Sequence, residues 1–174
     1  MLAYVNGTAI DSVSLQNRGL QYGDGVFETC RVANRQIVFS EFHFKRLQSA
    51  LERLCFLSIS SLIVDIQKQL AMVLTELPEK YNVLKLIVSR RSAIRGYSPK
   101  NSQVDIIIQL FESAPTVNKL SYKVGLCQTP ISVNRQLAGI KHLNRLDSVL
   151  AKAEIEEKQW DEGWLCCEQG WVHD

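Results

Sequence analysis

Apolar residues along the chain change between an alternate-residue period and a three-to-four-residue period, and these changes predict an order of strands and helices. Leu2–Val5 and Thr8–Ile10 flank Asn6-Gly7, a dipeptide that accepts the positive φ angles of a type I′ turn, so the chain opens with a hairpin. Ser14–Leu20 is polar and turn-rich and leads through Gln21–Gly25 into a strand over Val26–Val32, which turns at Ala33–Arg35 and returns over Gln36–Phe39. Ser40 is a candidate N-cap for a helix whose Phe44, Leu47, Leu51 and Leu54 share one face and which ends near Cys55. Ser60-Ser61 starts a second helix with Leu62, Ile66, Leu70, Val73 and Leu77 as its buried stripe, and Pro78 stops it.

Tyr81–Ser89 and Val104–Phe111 are rich in Val, Leu and Ile and read as antiparallel neighbours, joined by the basic loop Arg90–Gln103 in which Arg90 and Arg91 are expected to be solvated. Glu112–Asn118 has linker composition and divides the chain into domains at 1–113 and 114–174. Beyond it, Tyr122–Gln128 reads as a strand and Arg135–Asn144 as a loop. Leu143–Gln159 reads as a helix with a stripe of Leu143, Leu146, Leu150 and Ala153. Trp164–Cys167 and Trp171–His173 read as two short strands of a last hairpin. The class is α+β: an antiparallel sheet with two helices, then the start of a second sheet domain. A hairpin strand that stops at Asp174 predicts that the sequence is a fragment whose second domain continues further.

Composition narrows the partners. With 46% hydrophobic and 22% charged residues, a net charge of +2 and no block of like charge, the chain asks for neither nucleic acid nor a membrane surface. No apolar run is long enough to cross a bilayer, and Met1–Gly7 lacks a basic and apolar leader, so a cytoplasmic location and a small-molecule partner are expected. Five cysteines, none in a C-x-x-C or Cys/His ligand spacing, read as reduced apolar side chains and predict no metal.

Lys141 follows the small-residue turn Ala138-Gly139 at the start of the last helical pattern. Its amine becomes a Schiff-base nucleophile only when neutral, which needs desolvation or nearby positive potential; otherwise a lysine there is a solvated surface residue. Spacing alone leaves both open.

The run Gly-Ile-Lys-His-Leu-Asn-Arg-Leu, Gly139–Leu146, resembles the lysine segment of the 4-amino-4-deoxychorismate lyase family. That family belongs to the fold-type IV pyridoxal-phosphate (PLP) enzymes, beside the branched-chain and D-amino-acid aminotransferases. The resemblance implies that Lys141 is the lysine that carries pyridoxal 5'-phosphate. Gln21–Thr29 is similar to the family's Y-G-D-G-x-F-E-T element, which implies that Tyr22, Phe27 and Thr29 wall the substrate pocket. His43–Leu47 resembles its H-x-x-R-L element, making Arg46 the phosphate-binding arginine, a role suited to paired, permanently charged donors. Arg95-Gly96-Tyr97 resembles its R-G-Y element and implies that Arg95 and Tyr97 hold a substrate carboxylate. At Gly170–Asp174 the family places a glutamate against the pyridine nitrogen, and this chain has the shorter Asp174 there.

By the same resemblance the fold is fold-type IV with a barrel-like second domain and the cofactor between the two, and the protein is a homodimer. The implied reaction converts 4-amino-4-deoxychorismate to 4-aminobenzoate and pyruvate. An aminotransferase of the same fold is the first alternative; a non-catalytic dimerising domain is the second.

Overall fold

The computed structural model describes residues 1–100, 103–114 and 119–173. Its described chain forms two units, one of Met1–Ala114 with Gly139–Leu143, the other of the remaining residues.

In the first unit β1 (Leu2–Val5) and β2 (Thr8–Ala9) form the expected hairpin, with Asn6 at φ 52° and Gly7 at φ 79°, both in the left-handed region that the Asn-Gly pair accepts. The polar stretch that follows is more ordered than its composition suggests: Arg18–Tyr22 is a short helix, α1, whose N-cap Asn17 accepts a 3.0 Å bond from the Leu20 N–H. Next come β3 (Gly25–Ala33) and β4 (Gln36–Ile37), the latter shorter than the pattern predicts. Helix α2 (Ser40–Arg53) starts without a side-chain cap; its N-cap is Phe39 at φ 57°, and Ser40 is already helical. Helix α3 (Ile59–Thr75) has Ser58 as its N-cap, two residues ahead of the expected Ser60-Ser61, and ends ahead of Pro78. The strands β5 (Val83–Arg91) and β6 (Gln103–Phe111) are antiparallel neighbours. Together the strands form a six-stranded sheet in the order β2-β1-β6-β5-β3-β4.

Strand alternation sends Val26, Cys30 and Val32 of β3, Leu84, Leu86 and Val88 of β5, and Ile106, Ile108 and Leu110 of β6 to one face, where all are buried. The stripes of the two long helices supply Leu47, Leu51, Ile66, Leu70 and Val73 to this core. Phe27, Thr29, Lys85 and Ile87 occupy the opposite face, in the register Phe27 against Ile87 and Thr29 against Lys85. Arg90 departs from expectation: β5 runs through it, and it is buried rather than solvated. Its guanidinium bonds Asp24 at 2.5 Å and the Leu54 carbonyl, and lies 3.9 Å from the Phe56 ring centroid. A buried arginine is tolerated because its charge is paired and its donors are used.

The second unit holds β7 (Val124–Leu126), α4 (Leu146–Glu157) and β8 (Glu162–Trp164). β7 and β8 pair in parallel, with α4 as the crossover between them. The helix starts three residues later than the pattern predicts and buries Ala151 and Ile155, while Leu146 and Leu150 are exposed. Its carboxylates brace the loop after β7. Glu154 accepts from the Gln128 and Thr129 N–H groups at 2.8 and 3.1 Å and from Lys158, which hold it down at about 2. The last hairpin is reduced to one bridge, Cys166 with Val172. All five cysteines are free thiols.

Candidate active site

The segment that returns to the first unit lies along β3. The Phe27 N–H donates to the Lys141 carbonyl at 2.9 Å, the Leu143 N–H donates to the Gly25 carbonyl at 3.1 Å, and Val26 bridges His142. These two bonds close one end of the outer edge of β3, and β4 closes the other opposite Val32 and Ala33. Lys141 is therefore set by strand pairing, outside any helix, and its Nζ lies 4.6 Å from the centroid of the Phe27 ring. Lys85 approaches the same ring, at 5.3 Å, from the neighbouring strand.

The pairing requires a glycine at 25. A Cβ there would stand 2.5 Å from the Val88 carbonyl oxygen, 2.8 Å from Leu143 Cδ1 and 2.9 Å from the Ser89 Cα. Two of these three atoms are backbone and cannot rotate away. Gly25→Ala is expected to cost about 3 kcal/mol, in the range of overpacked sites, and to loosen the Lys141 segment, read as a lower denaturation midpoint.

Behind Phe27 in sequence and on the other face of β3 stands Glu28, 2% exposed. It accepts from Arg46 Nε at 2.7 Å and Arg46 Nη2 at 2.5 Å, a two-pronged pair, and from His43 Nδ1 at 2.7 Å. The H-x-x-R spacing on α2 puts His43 and Arg46 one turn apart on the face turned to β3. Burial pushes the Glu28 carboxyl up, but the Arg46 and His43 bonds together outweigh it and hold the group below the ordinary carboxylate range. Arg46 is raised in turn by the Glu28 bond. Its side chain remains 47% exposed. Cys30, two residues further along the same face, is pushed up to about 12 by burial and by the Glu28 charge, with Arg46 and Lys141 both acting against this. It is therefore a protonated, inert thiol. Glu28, Cys30 and His43 have ligand atoms within 4.8 Å of one another. The Arg46 guanidinium on the carboxylate and the protonated thiol make this a poor cation site.

Lys141 thus lies against the Phe27 ring and Arg46 on Glu28, which points to the other face of β3, and both charges are felt at Cys30. The donor set suits PLP. Arg46 is a fixed cation oriented by a buried counter-charge, and a guanidinium with Nε and Nη2 committed keeps further N–H donors for a phosphate. Lys141 sets a primary amine against an aromatic face, where an aldehyde-bearing ring can lie.

The remaining candidates form a second group. Tyr22, at the end of α1, meets Tyr97 edge to face with centroids 5.5 Å apart. Tyr97 is 85% exposed, and Arg95 is exposed beside it. Thr29 is exposed on the Phe27 face of β3. Asp174 lies outside the described residues. Sequence reasoning passed over Glu28, His43 and Lys85. Two of these had a signal in the sequence, a carboxylate at a core-facing position of an alternating strand and a histidine one turn before the arginine, whereas the place of Lys85 opposite Thr29 follows only from strand register.

Residues 25–173 match the family described as amino-transferase class IV. An aminodeoxychorismate lyase of Vibrio harveyi is 30% identical over 158 residues, 88% of this chain and 56% of that protein. The crystal structure of 4-amino-4-deoxychorismate lyase from Pseudomonas aeruginosa superposes with a TM-score of 0.82 at 32% identity, covering 98% of this chain and 63% of that one. A T.th. branched-chain amino acid aminotransferase, solved with pyridoxamine 5'-phosphate, shares the fold at a TM-score of 0.70 and 19% identity, with 99% of this chain and 61% of that one covered. The chain thus spans less than two thirds of the length of these relatives. No helix among the described residues is long and apolar enough to cross a membrane.

Proposed function

Because the chain belongs to the amino-transferase class IV family, with the α+β fold of the fold-type IV enzymes, we propose that it is the PLP-binding part of a 4-amino-4-deoxychorismate lyase, which forms 4-aminobenzoate and pyruvate. The observation that carries this reading is the pairing of residues 141–143 with β3, which puts Lys141 Nζ 4.6 Å from the Phe27 ring centroid, while Arg46 is locked on Glu28, the next residue of the same strand. The lyases of V. harveyi and P. aeruginosa support the substrate, and the run Gly139–Leu146 favours a lyase over an aminotransferase.

When bound, PLP supplies an electron sink for the substrate carbon that bears the amine. The protein's residues do the rest. Arg46 holds the phosphate, and Glu28 and His43 keep its guanidinium in place. Phe27 and Thr29 wall the reacting face, and the Phe27 ring lies against the Lys141 amine. Lys141 Nζ would hold the cofactor and, once the substrate's amine has displaced it, would take the proton from the amine-bearing carbon as general base. Arg95 and Tyr97 hold a substrate carboxylate, and Asp174 answers the pyridine nitrogen. Loss of the enolpyruvyl group as pyruvate leaves an aromatic ring, which makes elimination outrun reprotonation. The division at 113/114, a homodimeric state and a cytoplasmic location belong to the same proposal.

A lyase turns over unaided, whereas an aminotransferase stalls with the amino group on its cofactor until a 2-oxo acid arrives. Given 4-amino-4-deoxychorismate and no oxo acid, the PLP-loaded protein is expected to release pyruvate and 4-aminobenzoate in equal amounts over many turnovers. One burst followed by arrest turns the reading to the aminotransferase. A protein that takes up no PLP turns it to a non-catalytic domain.

A further inference from the structure

A second buried polar network, sharing no residue with the Glu28–His43–Arg46 group, ends on the backbone of the loop that carries Arg95 and Tyr97. Arg18, on α1, is 3% exposed, and all three of its nitrogens are engaged. Nε donates to Asp24 Oδ2 at 2.7 Å, Nη1 to the Gly96 carbonyl at 2.7 Å, and Nη2 to the Tyr97 carbonyl at 2.9 Å. The Arg18 Cζ lies 4.9 Å from the centroid of the Tyr22 ring, which meets Tyr97 in its turn. Asp24 is anchored separately: its other oxygen takes Arg90 at 2.5 Å, and its carbonyl takes the Arg90 N–H at 3.2 Å.

We propose that Arg18 is a positioning residue: by holding the successive carbonyls of Gly96 and Tyr97 from a buried, Asp24-anchored guanidinium, it fixes the loop that presents Arg95 and Tyr97 to the carboxylate of an acidic substrate. The assignment of that loop to substrate rests on the proposed function. Two adjacent carbonyls and a carboxylate call for a rigid planar fork, which arginine has and lysine lacks. Gly96 completes the device. Its φ of +113° is open to glycine and strained for other residues, and it turns the two carbonyls to one donor pair. Held side chains bind without first being ordered, so the clamp acts on substrate affinity and leaves PLP retention alone.

The test is made on the PLP-loaded protein with 4-aminobenzoate as the probe. Arg18→Lys keeps the charge next to Asp24 and gives up the fork. Gly96→Ala strains the same loop from the solvent side, where a Cβ would meet nothing within 4 Å, so the core is untouched and folding is preserved. Each is expected to speed amide exchange across 93–99 and to raise the 4-aminobenzoate Kd by about tenfold, with PLP retention and exchange in α1 and β3 unchanged. The double variant is expected to be little worse than either single one, because both act through one loop. Exchange at 93–99 that Arg18→Lys leaves unchanged, or that rises equally across α1 and β3, overturns the clamp and makes Arg18 a general support. A loosened loop with an unaltered Kd overturns its link to substrate. Failure of the unsubstituted protein to bind 4-aminobenzoate sinks the substrate reading instead, while the exchange still decides whether the clamp exists.

Discussion

Replacing Lys141 by alanine is expected to abolish covalent retention of PLP and to lower turnover by about a thousandfold or more, since one side chain is asked both to carry the cofactor and to move the proton. The backbone of the segment is not the cause. The bonds that dock it, Phe27 N–H to the Lys141 carbonyl and Leu143 N–H to the Gly25 carbonyl, are main-chain and survive the substitution, so the melting of the apo protein should hardly change. Borohydride reduction of the unsubstituted protein, followed by peptide mapping, should place the phosphopyridoxyl group on Lys141. Lys85 is the informative control because it meets the same Phe27 ring, at 5.3 Å against 4.6 Å for Lys141. A label on Lys85, or retention of PLP by Lys141→Ala, returns Lys141 to an ordinary strand-edge residue.

The second large effect is on stability and falls on Arg46. Its side chain is 47% exposed on a helix, where loss of an arginine is ordinarily near neutral, but it is the main partner of a buried carboxylate. Arg46→Ala leaves Glu28 with His43 alone, and stranding a buried charge costs about 3 kcal/mol or more. Phosphate affinity falls at the same time, so apo melting and PLP binding should both drop. The pH dependence identifies the cause. In the parent protein Glu28 titrates below its ordinary value of 4.5, so its contribution is present above that pH and fades as pH falls through the lowered value. Removing Arg46 leaves burial, which raises the carboxyl. The deficit of the variant should therefore be largest near neutrality and shrink in acid as Glu28 takes up a proton. A Glu28→Gln, Arg46→Ala double variant should recover part of the loss. Equal destabilisation at all pH values, with no recovery, would refute the ion-pair account.

Local chemistry in the sequence was enough for much of the first unit. Asn6-Gly7 specifies its own turn, because the two positive φ angles are intrinsic to those residues. The stripes of α2 and α3 predict which faces are buried, because any apolar face of that width must be covered. The resemblance of Gly139–Leu146 and His43–Leu47 to a known family pointed to Lys141 and Arg46, and spacing alone did not. What periodicity cannot report is the partner. Arg90 looked solvated because its counter-ion, Asp24, is 66 residues away, and Glu28 looked like a motif letter until α2 set His43 and Arg46 on it. The α1 helix is too short to declare itself by period, and is held by its Asn17 cap and by Arg18 bonds to a loop 78 and 79 residues distant. In α4 the apolar residues cover more than one face, so pattern chose Leu146 and Leu150 where packing chose Ala151 and Ile155. Strand and helix faces follow from side-chain spacing along the chain. The pairing of buried charges follows only from which distant segments meet, because a charge enters the interior solely where its partner is already in place.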